Sequence, residues 1–99
     1  MKPSELLQQH RAEWLQISRQ FAVENVRVFG SVAKGLDNEN SDLDILLDSL
    51  PRTTLFNLGG LKMEFEELLG IKVDILTPRS LPEQFRAQVL QEAKPLWKE

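Results

Sequence analysis

Between Ser41 and Pro51 the chain sets two acids into an apolar segment, Asp42-Leu43-Asp44-Ile45-Leu46-Leu47. The run Leu43–Leu47 has the apolar composition of a buried strand, and Pro51 breaks it. Side chains alternate along a strand, so Asp42 and Asp44 fall on one face while Leu43 and Ile45 fall on the other. Apolar neighbours on both sides make an uncompensated acid costly. A chain that keeps this pattern needs a core on one side of the strand and something positive on the other.

The remaining segments supply candidates for that core. Ser4 to Phe21 lacks Gly and Pro. Leu7, Trp14, Ile17 and Phe21 recur there at near-helical spacing, which predicts one amphipathic helix with Ser4 as N-cap. Val26–Phe29 reads as a strand stopped by Gly30, followed by one or two helical turns over Val32–Leu36. A polar loop, Asp37–Ser41, then leads into the acid-bearing strand. Thr53 or Thr54 caps a second long helix to Leu69, with Leu58, Leu61, Phe65 and Leu68 on one stripe and Gly70 as its left-handed stop. Gly59 and Gly60 inside it mark a close approach to a neighbour or a later helix start. Lys72–Leu76 is a third strand. The spacing Ser80-Leu81-Pro82-Glu83 predicts a capping box opening a last helix to about Ala93, carrying Phe85, Val89 and Leu90. Pro95 ends that helix, and Leu96-Trp97 folds back on the body. The order alternates helix and strand, giving a single α/β domain over residues 1–99 with a small three-stranded sheet.

The chemistry-bearing residues gather at strand ends. The first strand runs into Gly30-Ser31, the second carries Asp42 and Asp44, and the third carries Val73-Asp74-Ile75. Two residues of rise, roughly 6.5–7 Å, separate the α-carbons of Asp42 and Asp44. Flexible carboxylates at that spacing can converge on cations about 3.5–4 Å apart, as two-metal phosphoryl chemistry uses. If the second and third strands are neighbours, about 4.8 Å apart, Asp74 joins the same site. Carboxylate oxygens with room for water and substrate phosphates suit Mg²⁺. A Gly-Ser turn at a helix start lets backbone N–H groups approach a phosphate. Neither Asp-x-Asp nor Gly-Ser is specific alone; their order and spacing together describe a nucleoside triphosphate site.

Phe29-Gly30-Ser31, followed after ten residues by Asp42-Leu43-Asp44-Ile45, resembles the signature of the DNA polymerase β-like nucleotidyltransferase superfamily. The chain is similar to its minimal nucleotidyltransferase (MNT) members over a motif core of about residues 26–96. Val32-Ala33-Lys34-Gly35, Ser41 and Leu68-Leu69-Gly70-Ile71-Lys72-Val73-Asp74 add to the likeness. The resemblance implies a mixed sheet with flanking helices, the polymerase β-like palm fold. It implies that Asp42 and Asp44 bind two Mg²⁺ ions, with Asp74 completing the metal site and helping to activate the attacking hydroxyl. Gly30 and Ser31 would hold the triphosphate. Many relatives carry Arg where Lys34 stands, and Lys can neutralise a phosphate only as a point charge. The implied reaction transfers a nucleoside monophosphate, AMP from ATP, to a hydroxyl and releases pyrophosphate. Larger relatives close a second domain over the acceptor, so here a partner chain or a self-dimer completes that site, unless the acceptor is itself a protein. Minimal members resemble halves of toxin–antitoxin modules paired with a HEPN-domain protein, which implies an antitoxin-like role with a HEPN partner. The other readings are a binding antitoxin that inhibits by contact alone and a transferase of the antibiotic-modifying type acting on a small molecule.

Composition bounds these readings. No apolar run exceeds three residues, which excludes a membrane-spanning helix. The absence of cysteine removes disulfide and thiolate-metal chemistry and is compatible with the cytoplasm. The net charge of −3 argues against direct nucleic-acid binding. Five acids and no base lie between Asp37 and Asp48, and without them the chain would carry an excess of bases. The acidity is therefore local to the candidate site. The lone histidine, His10, and the two tryptophans, Trp14 and Trp97, read as structural. Asp48 reads as a loop-end residue and Glu64, Glu66 and Glu67 as a solvated helix face. Arg27, Arg52, Lys62 and Arg79 are surface bases able to contact phosphate or a partner.

Overall fold

A computed structural model of the protein describes residues 1–95; the packing expected of Leu96 and Trp97 lies outside the described residues. The first helical stretch is two helices rather than one: α1 (Pro3–Gln9) and α2 (Arg11–Arg19). They meet at His10, whose φ and ψ of −104° and 26° leave the helical range. The indole N–H of buried Trp14 donates to the Leu7 carbonyl at 2.6 Å. That carbonyl would serve the Arg11 N–H in a continuous helix, so the side chain takes over the backbone's acceptor. His10 Nδ1 lies 3.0 Å from Glu13 Oε1 and steadies the joint. Ser4 is not the cap. Its backbone N–H instead donates to Asp37 Oδ2 at 2.9 Å, while Glu5 accepts from the Lys2 N–H.

Strand β1 (Val23–Phe29) begins earlier than the sequence suggests. It carries a register irregularity between Glu24 and Arg27, where Asn25 adopts a φ of 52°. Across from it, Asp48 lies inside β2 (Leu43–Ser49) rather than at a loop end. Its carboxylate accepts from Arg27 at 2.7 Å and from the Asn25 amide at 3.0 Å, so Arg27 locks the irregularity and is not free for phosphate. Between these strands sits the five-residue helix α3 (Gly30–Lys34).

Helix α4 (Leu55–Leu69) is capped by Thr54, whose hydroxyl accepts from the Asn57 N–H, and it stops at Gly70 with φ 69°. A Cβ at Gly60 would stand 3.0 Å from Phe21 Cε1, which accounts for one of the paired glycines as a close approach. Strand β3 (Val73–Leu76) follows. Ser80 does not cap the last helix. It closes a 3₁₀ turn, Pro78–Ser80, by accepting from the Thr77 N–H at 2.9 Å. Helix α5 (Glu83–Glu92) buries no residue fully and leaves Phe85 exposed, so it covers the body more thinly than its apolar residues suggest. Arg86 ties it to the turn through the Pro78 and Leu81 carbonyls.

Among the described residues the sheet has four strands, not three, because β4 (Lys94–Pro95) pairs antiparallel with Arg27 and Val28. The order is β3-β2-β1-β4; β2 pairs parallel with β3 and antiparallel with β1, so the sheet is mixed. Leu43, Ile45 and Leu47 point into a core shared with Trp14, Leu61 and Phe65. No helix among the described residues is long and apolar enough to cross a membrane.

Candidate active site

Strand register brings the acids together. Asp44 pairs directly with Asp74 across the parallel β2–β3 ladder and with Phe29 across the antiparallel β1–β2 ladder. Directly opposed residues share a face, so Asp44 and Asp74 stand side by side, away from the Leu43 and Val73 pair that is wholly buried in the core. Asp42 lies just ahead of β2 rather than within it, half exposed, with its carboxylate 4.0 Å from Lys72 Nζ.

Gly30 follows Phe29 and opens α3 beside this pair. Its φ is 69°, and a Cβ added there would overlap Asp44 Oδ2. Two independent constraints therefore require glycine: a left-handed backbone and the absence of a side chain against the acid. Ser31 follows, half buried, and no side chain caps α3, so its first N–H groups remain available to an anion. Lys34, at the end of α3, is 3.7 Å from Glu92 on α5, paired away from the acids.

The electrostatics are those of crowded acids. Burial, and then the charges of Asp74 and Asp42, push the Asp44 carboxyl above the usual carboxylate range, while Lys72 pulls it back in part. Asp37, at the head of the loop leading into β2, behaves oppositely. Burial works against its charge, but the Ser4 backbone N–H and hydroxyl outweigh it and hold the carboxyl below its ordinary value. Asp37 thus serves the N-terminal helix, not the site.

The acid cluster offers only hard oxygen donors. No three carboxylate or imidazole side chains close around one point among the described residues. Mg²⁺ does not need such a cage, since one or two carboxylates plus water and phosphate oxygens complete its shell. Asp42 and Asp44 fit that demand, and the repulsion acting on Asp44 is what a cation would relieve.

Two contributors are not among the site residues expected from the sequence. Lys72 supplies the positive charge nearest Asp42. Glu66, expected on a solvated face, accepts from the Val73 backbone N–H at 3.0 Å and fixes the first residue of the strand that bears Asp74.

The model of the family named polymerase beta, nucleotidyltransferase matches residues 15–99. The chain is similar to protein adenylyltransferase MntA of Thermococcus cleftensis, 34% identical over 87 residues, which are 88% of this chain and 85% of the relative. A solved structure provisionally described as a minimal nucleotidyltransferase is 42% identical, with a TM-score of 0.81 over 93% of this chain and 94% of that one. A toxin–antitoxin crystal structure with AMP-PNP, 24% identical, shares the fold at a TM-score of 0.70 over 86% of this chain and 70% of that one. With its Gly-Ser turn, its paired strands of acids and these likenesses, the chain belongs to the polymerase β-like nucleotidyltransferases, as one of the minimal kind.

Proposed function

We propose that the chain is an adenylyltransferase that moves AMP from ATP to a hydroxyl of a HEPN-domain toxin, acting in the cytoplasm as the antitoxin-like half of a two-component module. The observation that carries this reading is the register of Asp44 against Asp74 with the bare α-carbon of Gly30 pressed on Asp44. The name of the MntA relative supports the transferred group, and the shared fold of a toxin–antitoxin complex holding AMP-PNP supports the nucleotide and the kind of partner.

In this reading Asp42 and Asp44 hold Mg²⁺, which supplies charge neutralisation and a template for the triphosphate. The N–H groups opening α3 and the Ser31 hydroxyl bind phosphate oxygens, and Gly30 lets them come close. Lys34 exchanges Glu92 for phosphate charge. Asp74 accepts the proton of the acceptor hydroxyl, whose oxygen bonds to the α-phosphorus as the bond to the bridging oxygen breaks and pyrophosphate leaves. The acceptor is a protein that brings its own contacts.

The test uses labelled ATP, Mg²⁺ and the copurified partner. Wild type transfers one or more AMP units, seen as added mass on the partner. Asp42→Asn with Asp44→Asn loses transfer by at least about a hundredfold. Chelation of Mg²⁺ does the same. An unlabelled partner that is nonetheless fully inhibited by the double variant would establish inhibition by contact alone. Transfer to a small hydroxyl compound by the isolated chain would point to the antibiotic-modifying type.

A further inference from the structure

Helix α4 leaves an apolar face without a partner over about its first two and a half turns. Leu55 is 86% exposed, Phe56 92% and Met63 70%, while Leu61, Phe65 and Leu69 on the other side are buried in the core. Gly59 lies among the exposed three, and a Cβ built there would meet nothing within 4 Å. The face thus has large side chains above and below a point of bare backbone, which lets a second helix approach closely.

The charges on α4 run against its own dipole. No acid lies in the first turn and no base in the last. Glu64 and Glu67 are exposed instead toward the C-terminal end, and exposed Arg52 precedes the N-terminus. Each end therefore carries the charge that its own helix disfavours and an antiparallel helix favours. A second copy of α4 laid antiparallel with its crossing at Gly59 and Gly60 would set Phe56 against Met63. It would also bring Arg52, ahead of the N-terminus of one helix, toward Glu67 of the other. Both pairings would recur by symmetry, as an isologous twofold contact requires.

We propose that this face joins two copies of the chain through antiparallel α4 helices. Helix α4 runs from the end of β2 back to the start of β3. It packs Leu61, Phe65 and Leu69 into the core formed by the sheet face of Leu43, Ile45 and Val73, opposite the face of Asp44 and Asp74, so such a dimer leaves both candidate sites open. The contact does not depend on the reaction proposed above and survives if that reading fails.

Light scattering and sedimentation of the full chain over a wide concentration range provide the test. The mass rises from one chain to two in wild type. Phe56→Asp, or Met63→Asp as a second variant, weakens the association at least about tenfold, with circular dichroism melts showing that each variant folds. Arg52→Glu and Glu67→Arg each weaken it, and the two together restore it. A wild type that stays at the mass of one chain overturns the proposal. So does a dimer indifferent to both apolar variants, or a double charge swap that fails to restore it. Loss of binding to a different protein in Phe56→Asp, with no self-association in wild type, assigns the face to that protein and also overturns it.

Discussion

Single residues at the site are held to narrow tolerances. Gly30 meets both a left-handed backbone and the Asp44 carboxylate. Gly30→Ala costs about 1–2 kcal/mol from the backbone alone and displaces Asp44, so transfer should fall at least about a hundredfold while the protein remains folded. Thermal melts and labelled-ATP assays on the same sample check both parts; full activity in Gly30→Ala would refute the close approach. Asp44 carries the opposite tension. Its carboxyl is raised by burial and by Asp74 and Asp42, so between its ordinary value of 3.8 and its folded value the native state binds more protons than the unfolded one. Stability then falls as pH rises through that window and stays lower above it. Asp44→Asn should therefore melt higher than wild type at neutral pH without metal, the advantage fading as pH falls through that window and gone below 3.8, even as transfer is lost. A series of melts against pH reads this, and a variant that melts lower at every pH contradicts it. Asp44 and Asp74 were legible in the sequence because alternation sets them on the face away from Leu43 and Val73 and apolar neighbours make them conspicuous; Asp42, ahead of the strand, is outside that alternation. Lys72 was not, since one charge before a strand carries no pattern until the register places it beside Asp42.

Elements position these residues through contacts that their own sequences disguise. Glu66 stands in the sequence beside Glu64 and Glu67 like a solvated helix face, yet it is half buried; its carboxylate receives the Val73 N–H, and the Lys72 carbonyl receives the Leu43 N–H at 3.0 Å. Together they seat β3 beside β2. Glu66→Ala leaves that N–H without its acceptor and should cost about 1–2 kcal/mol, with a larger loss of transfer than of nucleotide binding, because Asp74 moves and Gly30 does not. Glu66→Gln keeps an acceptor oxygen and should restore most of both, and equal damage by the two variants would argue against this role. The strands and α4 were legible from composition, the Thr54 cap and the Gly70 stop. The break at His10 was not, because it rests on an indole reaching a carbonyl seven residues back. The failure of Ser80 as a cap has a similar cause: its hydroxyl is engaged by Thr77.

At the scale of the molecule, the sequence predicted a small α/β sheet and missed its fourth strand. Lys94–Pro95 is two residues long and contains a proline, so nothing in its composition distinguishes it from a tail; only the open edge of β1 recruits it. The opposite edge matters more. Among the described residues strand β3 ends the sheet and pairs on one side only; it is four residues long and carries Asp74. Edge pairings of this kind open at a lower free-energy cost than the core beneath them. Heat should therefore silence the protein in two stages. Fraying of one edge strand separates Asp74 from Asp44 first, and the Trp14–Phe65 core melts later. Inactivation followed by transfer rate should run several degrees below the melt followed by tryptophan fluorescence, and it should reverse on cooling; coincident curves would tell against it. The catalytic lifetime of the enzyme would then be set by its weakest ladder, and a partner or crosslink that clamps that edge would prolong activity without raising the melting point of the fold.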